Sequence, residues 1–452
     1  MGISENTFSY KIHKNQTQIY TMKLISWFCI GLFWIPLRFS YRLPLKNGFF
    51  GTIGPDLKLT EIRNLVELFT GNGVIQGVFI NNGKPRFARH VINTRKLQNE
   101  PSRGEPLFLK GLKYLLYKMG MFPYNNLGVA NTALYPLDEN VDENTTAVYA
   151  MYERDLPYLV HLYHNTSSIA TIRQMDGLYP EIQEVSGHSK SIPGNRMETL
   201  DYHILSKQVD YYQIYDNMKS VVLKKTIQMQ YIPIMHDFIS TENSIMMMDS
   251  PLGFDFSNIL RGKLPIVFRE HASTFVHVMD KITGMVEKYE INRGHYVFHY
   301  AFCKETNEKI EIYAPLYDNL DFSSLNICGK YRKIVIDRHT KDVSVECNQL
   351  LETMNLDFPI KGPNGTVVLR NIVNRRINGF VMVDGLTIVK TWLYDDLFFC
   401  GEHVVLDNSI MAFCLKGDSN YLCVIDTVTD RVELIECSYD LTIGFHSAFI
   451  FR

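Results

Sequence analysis

Four of the fourteen histidines stand in sequence contexts that set them apart from the others. The first lies in a Gly-His-Ser-Lys segment and the second is in the run MHDFISTEN. The third closes Tyr-Val-Phe-His, and the fourth lies in Gly-Phe-His-Ser-Ala-Phe near the C-terminus. In chain order they are His188, His236, His299 and His446. Because neutral imidazole nitrogen is a good ligand for transition metals such as iron, these four are candidates for one metal site.

The spacing of these histidines suits a repeated β architecture. Consecutive members are separated by 48, 63 and 147 positions. The last interval is close to three steps of about 49, so residues recurring about once per repeat could lie on the innermost strands of different blades. Such strands converge on one axis, where a single metal could be reached. Fourteen histidines offer many other spacings, so the intervals are compatible with a shared site without proving it.

Short strands separated by turns dominate the chain after residue 43. Asn-Gly and Asp-Gly dipeptides between apolar runs are typical of tight β-hairpins. The predicted hairpins are centred on Asn82-Gly83 and Asp384-Gly385, and lie between 333 and 346 and between 421 and 435. Helical periodicity is limited to short stretches, such as 60–69 and 105–119. Many short strands at regular spacing predict an all-β sandwich, barrel or propeller.

Chain length favours a single closed β structure. Residues 43–452 show no Pro/Ser-rich linker and no shift in composition. Their roughly 410 residues are long for a simple sandwich, and seven repeats would have about 59 residues each, which suits four strands with loops. A propeller also closes without long exposed sheet edges. We therefore predict one β domain over 43–452, preceded by an extension over residues 1–42.

The N-terminal extension contains one strongly apolar segment. Residues 24–37 read LISWFCIGLFWIPL and are flanked on both sides by basic residues. A spanning helix needs about 20 apolar residues, so this segment is short for one. No small-residue cleavage site follows it. Two interpretations stay open: a membrane-surface anchor with Trp27 and Trp34 at headgroup depth, or a segment packed on the main domain.

Composition excludes several classes of protein. The net charge is −2 with no dense basic stripe, so no nucleic-acid partner is expected. Eight cysteines form no CxxC pair, which favours free thiols in a reducing compartment. We therefore expect a cytoplasmic protein that contacts a membrane peripherally if the apolar segment anchors it. The sequence contains no GxxxxGK, GxSxG or HExxH motif for nucleotide hydrolysis, serine hydrolase or zinc protease chemistry.

From about residue 43 to its end the chain resembles the carotenoid cleavage oxygenase family, which includes apocarotenoid oxygenases and the vertebrate retinoid isomerase. The strongest likeness is MHDFISTEN with the Asp-Ser-Pro-Leu that follows it. The segments YVFH and GFHSAF support it. Residues 51–55 resemble the family's entry motif, and 153–158 resemble its E-x-x-x-P-Y segment.

This resemblance implies a seven-bladed β-propeller with short capping helices and an axial Fe(II) held by the four histidines. It also implies three carboxylates hydrogen-bonded to three of those ligands. Glu153 matches the first, Asp357 stands in an Asp-Phe-Pro where the family has E-F-P, and Glu402 precedes His403 where the family has proline. A carboxylate on the second ring nitrogen fixes the histidine tautomer and raises its basicity. The shorter Asp357 is a departure in this set.

The resemblance further implies an Fe(II)-dependent dioxygenase that cleaves a conjugated double bond of a carotenoid, apocarotenoid or retinoid, with dioxygen as co-substrate. Two alternatives stay open. One is a retinyl ester isomerohydrolase that uses iron as a Lewis acid. The other is a non-catalytic lipid-binding propeller, because the carboxylate set is altered and loops are shortened. The remaining histidines that were considered are predicted to be structural: His271, His277, His295 and His403.

Overall fold

The computed structural model describes residues 46–452, apart from 59–60, 63, 101–106, 139–140, 256 and 261–264. The apolar segment at 24–37 and the boundary expected between residues 42 and 43 lie outside the described residues, so both stay predictions. Within the described part of the chain, no helix is long and apolar enough to cross a bilayer.

The first sheet joins the two ends of the described chain. It contains β1 (Gly48–Pro55), β2 (Gly73–Asn81), β3 (Lys84–Val91) and the last strand, β31 (Ser447–Phe451), in the order β3-β2-β1-β31. All pairings are antiparallel, and Phe50 of β1 faces Phe449 of β31. The C-terminal strand therefore closes onto the N-terminal sheet.

Four more antiparallel sheets of four strands follow, each built from strands that are near one another in sequence. The second sheet contains β4 (Ala133–Pro136), β5 (Thr145–Met151), β6 (Tyr158–Tyr163) and β7 (Ser168–Gln174). The third contains β8 (Lys190–Ile192), β9 (Arg196–His203), β10 (Gln208–Tyr215) and β11 (Val221–Gln228). The fourth contains β12 (Ile239–Ser240), β13 (Ser244–Asp249), β16 (Thr274–Asp280) and β17 (Val286–Ile291), with a separate hairpin of β14 (Leu252–Phe254) and β15 (Ile266–Phe268) inserted. The fifth contains β18 (Phe302–Glu305), β19 (Lys309–Tyr317), β20 (Gly329–Asp337) and β21 (Val343–Glu346).

The sixth sheet has nine strands and two parts. The first part contains β22 (Leu356–Lys361), β23 (Val367–Val373), β24 (Arg376–Asp384) and β25 (Thr387–Leu393). The second contains β26 (Phe398–Phe399), β27 (Val404–Leu406), β28 (Ser409–Lys416), β29 (Ser419–Asp426) and β30 (Val432–Glu436). A single residue pair, Ile377 with Phe399, links the two parts through β24 and β26.

Short helices lie between the strands of the described chain. They are α1 (Leu65–Thr70), α2 (Arg95–Asn99), α3 (Leu107–Lys118), α4 (Ser257–Leu260), α5 (Gln349–Glu352) and a 3-10 turn at Pro363–Gly365. The prediction of an all-β protein with short helices is therefore confirmed.

Local sequence accounts for several of these elements. Asn82 and Gly83 both have positive φ angles, of 51° and 73°, which a type I′ hairpin turn requires and which Asn-Gly adopts readily. The first helix begins later than its apolar periodicity predicted. It starts after Asn64, whose side chain accepts a hydrogen bond from the backbone N–H of Glu67 and so caps the helix.

Apolar clusters fill the spaces between sheets that are consecutive in the chain. Strands of the first and second sheets share a cluster in which the rings of Phe49 and Phe79 lie 4.7 Å apart. Between the sixth sheet and the first, the ring of Phe413 in β28 packs on that of Phe50 in β1, with 5.1 Å between the ring centroids. Fully burying one such side chain contributes about 1.5–3 kcal/mol. The sheets are therefore held face to face by their cores, and the sixth contacts the first.

Candidate metal centre

Each of the four histidines lies in a loop segment a few residues before a strand at the edge of its sheet. His188 precedes β8, His236 precedes β12, His299 precedes β18 and His446 directly precedes β31. The nearest ring nitrogens of the four all lie within 4.8 Å of one another. The Nε2 atoms of His299 and His446 are 3.3 Å apart. Four separate sheets thus deliver one imidazole each to a common point.

None of the four histidines lies within a strand, which differs from the expectation that they could lie on innermost strands. The backbone N–H of Tyr300, next to His299, donates to Asp237 Oδ2 at 3.1 Å instead of to a neighbouring strand. The carbonyl of His446 accepts from the N–H of Ile53 at 3.0 Å. The first hydrogen bond lies outside the sheet ladders, whereas the second continues the pairing of β31 with β1 by one residue. Both satisfy backbone groups beside an imidazole of the cluster.

Three of the four histidines have a carboxylate on their Nδ1 atom. His236 Nδ1 lies 2.6 Å from Glu153 Oε1. His299 Nδ1 lies 2.9 Å from Asp357 Oδ1, and His446 Nδ1 lies 3.1 Å from Glu402 Oε1. The structure therefore places all three carboxylates that the sequence singled out beside a histidine of the cluster, the shorter Asp357 included.

His188 has a different environment. Its Nδ1 lies 3.9 Å from Asp237 Oδ1, beyond hydrogen-bonding distance. That carboxylate oxygen is already occupied by Lys190 Nζ at 2.6 Å and by the N–H of Phe238 at 2.8 Å. The Nε2 atom of His188 is buried and has no hydrogen-bond partner among the described residues.

These observations test whether the residues fit a metal ion. Buried polar atoms in proteins are nearly always satisfied, so the unpartnered Nε2 of His188 needs an explanation. A neutral imidazole that donates Nδ1–H to a carboxylate presents a lone pair on Nε2, and each of the other three histidines has a carboxylate beside Nδ1. Four imidazole nitrogen donors around one point, three of them backed by carboxylates, are a donor set suited to a divalent transition metal such as iron.

The pKa shifts differ among the histidines of the centre. Burial acts to lower the pKa of His236, but Glu153 raises it above its ordinary value. Burial lowers the pKa of His188 well below its ordinary value, and the neighbouring histidines lower it further. Burial also lowers the pKa of His299, although Asp357 opposes this. Both imidazoles are therefore neutral near pH 7, as a ligand must be. The three carboxylates are Glu153, Asp357 and Glu402. Burial acts to raise the pKa of each, but its histidine partner holds the pKa below the ordinary value.

Sequence reasoning missed the groups that hold the carboxylates themselves. The hydroxyl of Tyr317 donates to Asp357 Oδ2 at 2.5 Å, and that of Thr132 donates to Glu153 Oε2 at 2.9 Å. The N–H of Ser447 donates to Glu402 at 2.8 Å. No local pattern marks Tyr317, because it lies in the fifth sheet and contacts a residue 40 positions away in the sixth, which only packing between the sheets brings close.

Phe358 lies between the metal centre and a buried arginine. Its backbone has a φ of 56°, a left-handed conformation that is strained for a residue with a side chain. Its ring lies 4.3 Å from that of His299 and 5.1 Å from that of His446. The guanidinium of Arg370 stacks 3.1 Å from the centroid of the same ring. This aromatic ring therefore helps to shield two imidazoles from water.

Other histidines lie outside the cluster. His277 pairs with Asp249 at 3.2 Å, and burial lowers the pKa of His403 to about 3. His271 is almost fully exposed.

The fold and the buried four-histidine centre define an all-β protein equipped to hold one metal. The chain belongs to the retinal pigment epithelial membrane protein (RPE65) family, whose model matches residues 44–450. Among solved structures, it is similar to the lignostilbene dioxygenase of Pseudomonas brassicacearum, with a TM-score of 0.71, 14% identity, and coverage of 90% of this chain and 92% of that one. It is also similar to a cobalt-substituted Synechocystis apocarotenoid oxygenase, with a TM-score of 0.69, 16% identity, and coverage of 90% and 93%.

Sequence relatives include carotenoid 9,10(9′,10′)-cleavage dioxygenases. The Crocus sativus protein is 25% identical over 62% of this chain and 53% of its own length. The Arabidopsis thaliana protein is 27% identical over 64% of this chain and 54% of its own length. The matched region thus spans little more than half the length of these relatives.

Proposed function

We propose that this protein is an Fe(II)-dependent dioxygenase that cleaves a conjugated double bond of an apolar polyene: a carotenoid, an apocarotenoid or a retinoid. The observation that carries the proposal is the buried cluster of four histidines, three of them paired with carboxylates. Membership of the RPE65 family and the dioxygenases among its relatives support it.

We further propose that residues 43–452 form a seven-bladed β-propeller. Five four-stranded sheets and the two parts of the sixth would supply seven blades. Apolar clusters between consecutive sheets, and the contact between β28 and β1, support closure of the series. Placement of the histidines before edge strands of different sheets fits an axial site.

Each group of the centre has a distinct task in the proposed reaction. Iron, when bound, supplies the activation of dioxygen that oxidative cleavage of an alkene requires. The imidazole nitrogens of the four histidines would hold it. The carboxylates accept the Nδ1–H protons of three imidazoles and so fix their orientation and tautomer. The buried ring of Phe298 and the half-buried ring of Phe358 line the imidazoles and help to exclude water from them.

The test is aerobic and anaerobic incubation of iron-loaded protein with a panel of carotenoids and retinoids. Cleavage predicts dioxygen consumption and paired carbonyl products identified by mass. His299→Ala should abolish both iron binding and cleavage, whereas His271→Ala, at an exposed position outside the cluster, should change neither.

Other outcomes of the same experiment would select the alternatives. Conversion of retinyl esters at an equal rate without dioxygen would replace cleavage by isomerohydrolase chemistry. Binding of a polyene without product by iron-loaded protein would indicate a non-catalytic lipid-binding protein. Absence of bound iron after anaerobic purification from iron-replete cells would contradict the proposal as a whole.

We also propose a cytoplasmic protein that contacts membranes peripherally, because polyenes reside in bilayers. Helix α3 and the loop after it expose large apolar side chains, which supports such contact. They are Leu109, Leu112, Leu115, Met119 and Met121. Co-flotation with phosphatidylcholine vesicles should fall when Leu112 and Leu115 are replaced by Asp. Unchanged flotation of that variant would refute a role for this helix.

A further inference from the structure

Asp357 is the shortest of the three carboxylates in the metal centre, yet it lies 2.9 Å from its histidine. Its Oδ1 atom contacts His299 Nδ1 and also accepts the N–H of Phe358 at 2.7 Å. Its Oδ2 atom accepts the hydroxyl of Tyr317 at 2.5 Å. A short carboxylate with both oxygens engaged has little freedom to rotate, so the tyrosine helps to determine where Oδ1 lies.

The phenol of Tyr317 occupies a site that is built around it. The side chain is buried, with 1% of its surface exposed. Its ring meets Phe298 edge to face at 5.0 Å, and Phe298 directly precedes the ligand His299. Across the strand pair, Tyr317 faces Gly329, where an added Cβ would lie 3.0 Å from the phenol oxygen. The missing side chain at Gly329 therefore leaves the room that the hydroxyl needs.

We propose that Tyr317 is a positioning residue of the metal centre, which acts through Asp357 to hold the imidazole of His299 in the orientation that binds metal. The hydroxyl anchors Oδ2, and this anchor keeps Oδ1 on Nδ1–H despite the shortened side chain. The inference rests on the proposed metal site, but it concerns how this chain compensates for aspartate where its family has glutamate.

The proposal predicts a loss of metal affinity when the hydroxyl is removed. Removing a group that supports a ligating histidine from behind typically costs about 10–100-fold in affinity. Tyr317→Phe should therefore bind Co(II) at least about tenfold more weakly than the wild type, and the visible bands of bound cobalt should shift as the His299 ligand reorients.

The chain offers a matched control in Tyr331, on the strand that pairs with that of Tyr317. Tyr331 is fully buried, and its hydroxyl has no hydrogen-bond partner among the described residues. Tyr331→Phe removes the same atom from a core position without touching the centre, so its cobalt affinity and spectrum should equal those of the wild type.

A double-mutant cycle tests whether Tyr317 acts through Asp357. In an Asp357→Ala background the hydroxyl has no carboxylate to hold, so adding Tyr317→Phe should lower cobalt affinity no further. The experiment is anaerobic cobalt titration of the full chain against a competing chelator, with metal-free unfolding recorded for every variant. If Tyr317→Phe does not fold, the same titration is made on Tyr317→Met, which keeps the core filled and also lacks the hydroxyl.

Wild-type affinity and spectrum in Tyr317→Phe would overturn the proposal, and so would additive losses in the cycle. Failure of the proposed dioxygenase activity would look different: the affinities would still follow the predicted order while no polyene is cleaved. A wild-type chain that binds no cobalt would overturn both.

Discussion

Glu153 offers the most direct test of the reasoning about the metal centre. Its Oε1 lies 2.6 Å from His236 Nδ1, and its Oε2 accepts the hydroxyl of Thr132 at 2.9 Å. Glu153→Gln keeps the size of the side chain and an acceptor for the imidazole N–H, but it removes the negative charge. The substitution therefore isolates the electrostatic part of the interaction.

The magnitude follows from the two kinds of hydrogen bond. A bond to a charged partner contributes about 1.5–3 kcal/mol, and one between neutral groups about 0.5–1.5 kcal/mol. Their difference is about 1–1.5 kcal/mol, which corresponds to roughly a tenfold change in an equilibrium constant. We expect Glu153→Gln to bind Fe(II) or Co(II) about tenfold more weakly than the wild type.

The assay is anaerobic metal titration against a chromophoric chelator. Glu305→Gln is a suitable control, because Glu305 accepts the hydroxyls of Thr241 and Ser244 and contacts none of the four histidines. Its affinity should match that of the wild type. Unchanged affinity in Glu153→Gln, or an equal loss in Glu305→Gln, would refute the assigned role of the carboxylate.

Three further predictions concern stability. Burial raises the pKa of Asp155 to about 8, so the stability contributed by its protonated form is complete below its unfolded value near pH 4 and is lost as pH rises through about 8. Asp155→Asn should flatten the slope of the unfolding free energy against pH, which for one group is at most about 1.4 kcal/mol per pH unit. Urea unfolding at pH 5 and pH 8 measures this slope, and equal slopes in the two proteins would contradict the prediction. Phe79→Ala should cost about 3–5 kcal/mol because the ring is fully buried against Phe49, whereas Leu205→Ala at an exposed turn should stay within about 0.5 kcal/mol in the same assay. Chelation of bound metal should lower the unfolding temperature, and the decrease should grow with the metal concentration present before chelation. An unfolding temperature that does not depend on metal would show that the native state does not bind metal preferentially.

Much of the architecture was predictable from local sequence. The hairpin at Asn82-Gly83 follows from the ease with which these residues adopt positive φ angles. The all-β class follows from many short apolar strands between turns. In each case the deciding interactions lie within a few residues of one another, so the pattern carries the information.

The identity of the candidate metal ligands was also accessible from sequence. The contexts of His188, His236, His299 and His446, and the resemblance that they carry, singled out the four histidines that the structure brings together. The three carboxylates were found in the same way, including Asp357.

Only the tertiary structure decided how these groups meet. His446 reaches the centre because β31 pairs with β1, and its carbonyl bonds to Thr52, a residue 394 positions away. A slip of one residue in that pairing would turn every side chain of the strand to the opposite face, and no local pattern encodes the register. The contact of Tyr317 with Asp357 depends on packing between the fifth and sixth sheets, which are not paired through these strands. Sequence therefore determined which residues could bind a metal, while long-range strand pairing and the packing of separate sheets determined that they share one site and which groups hold them there.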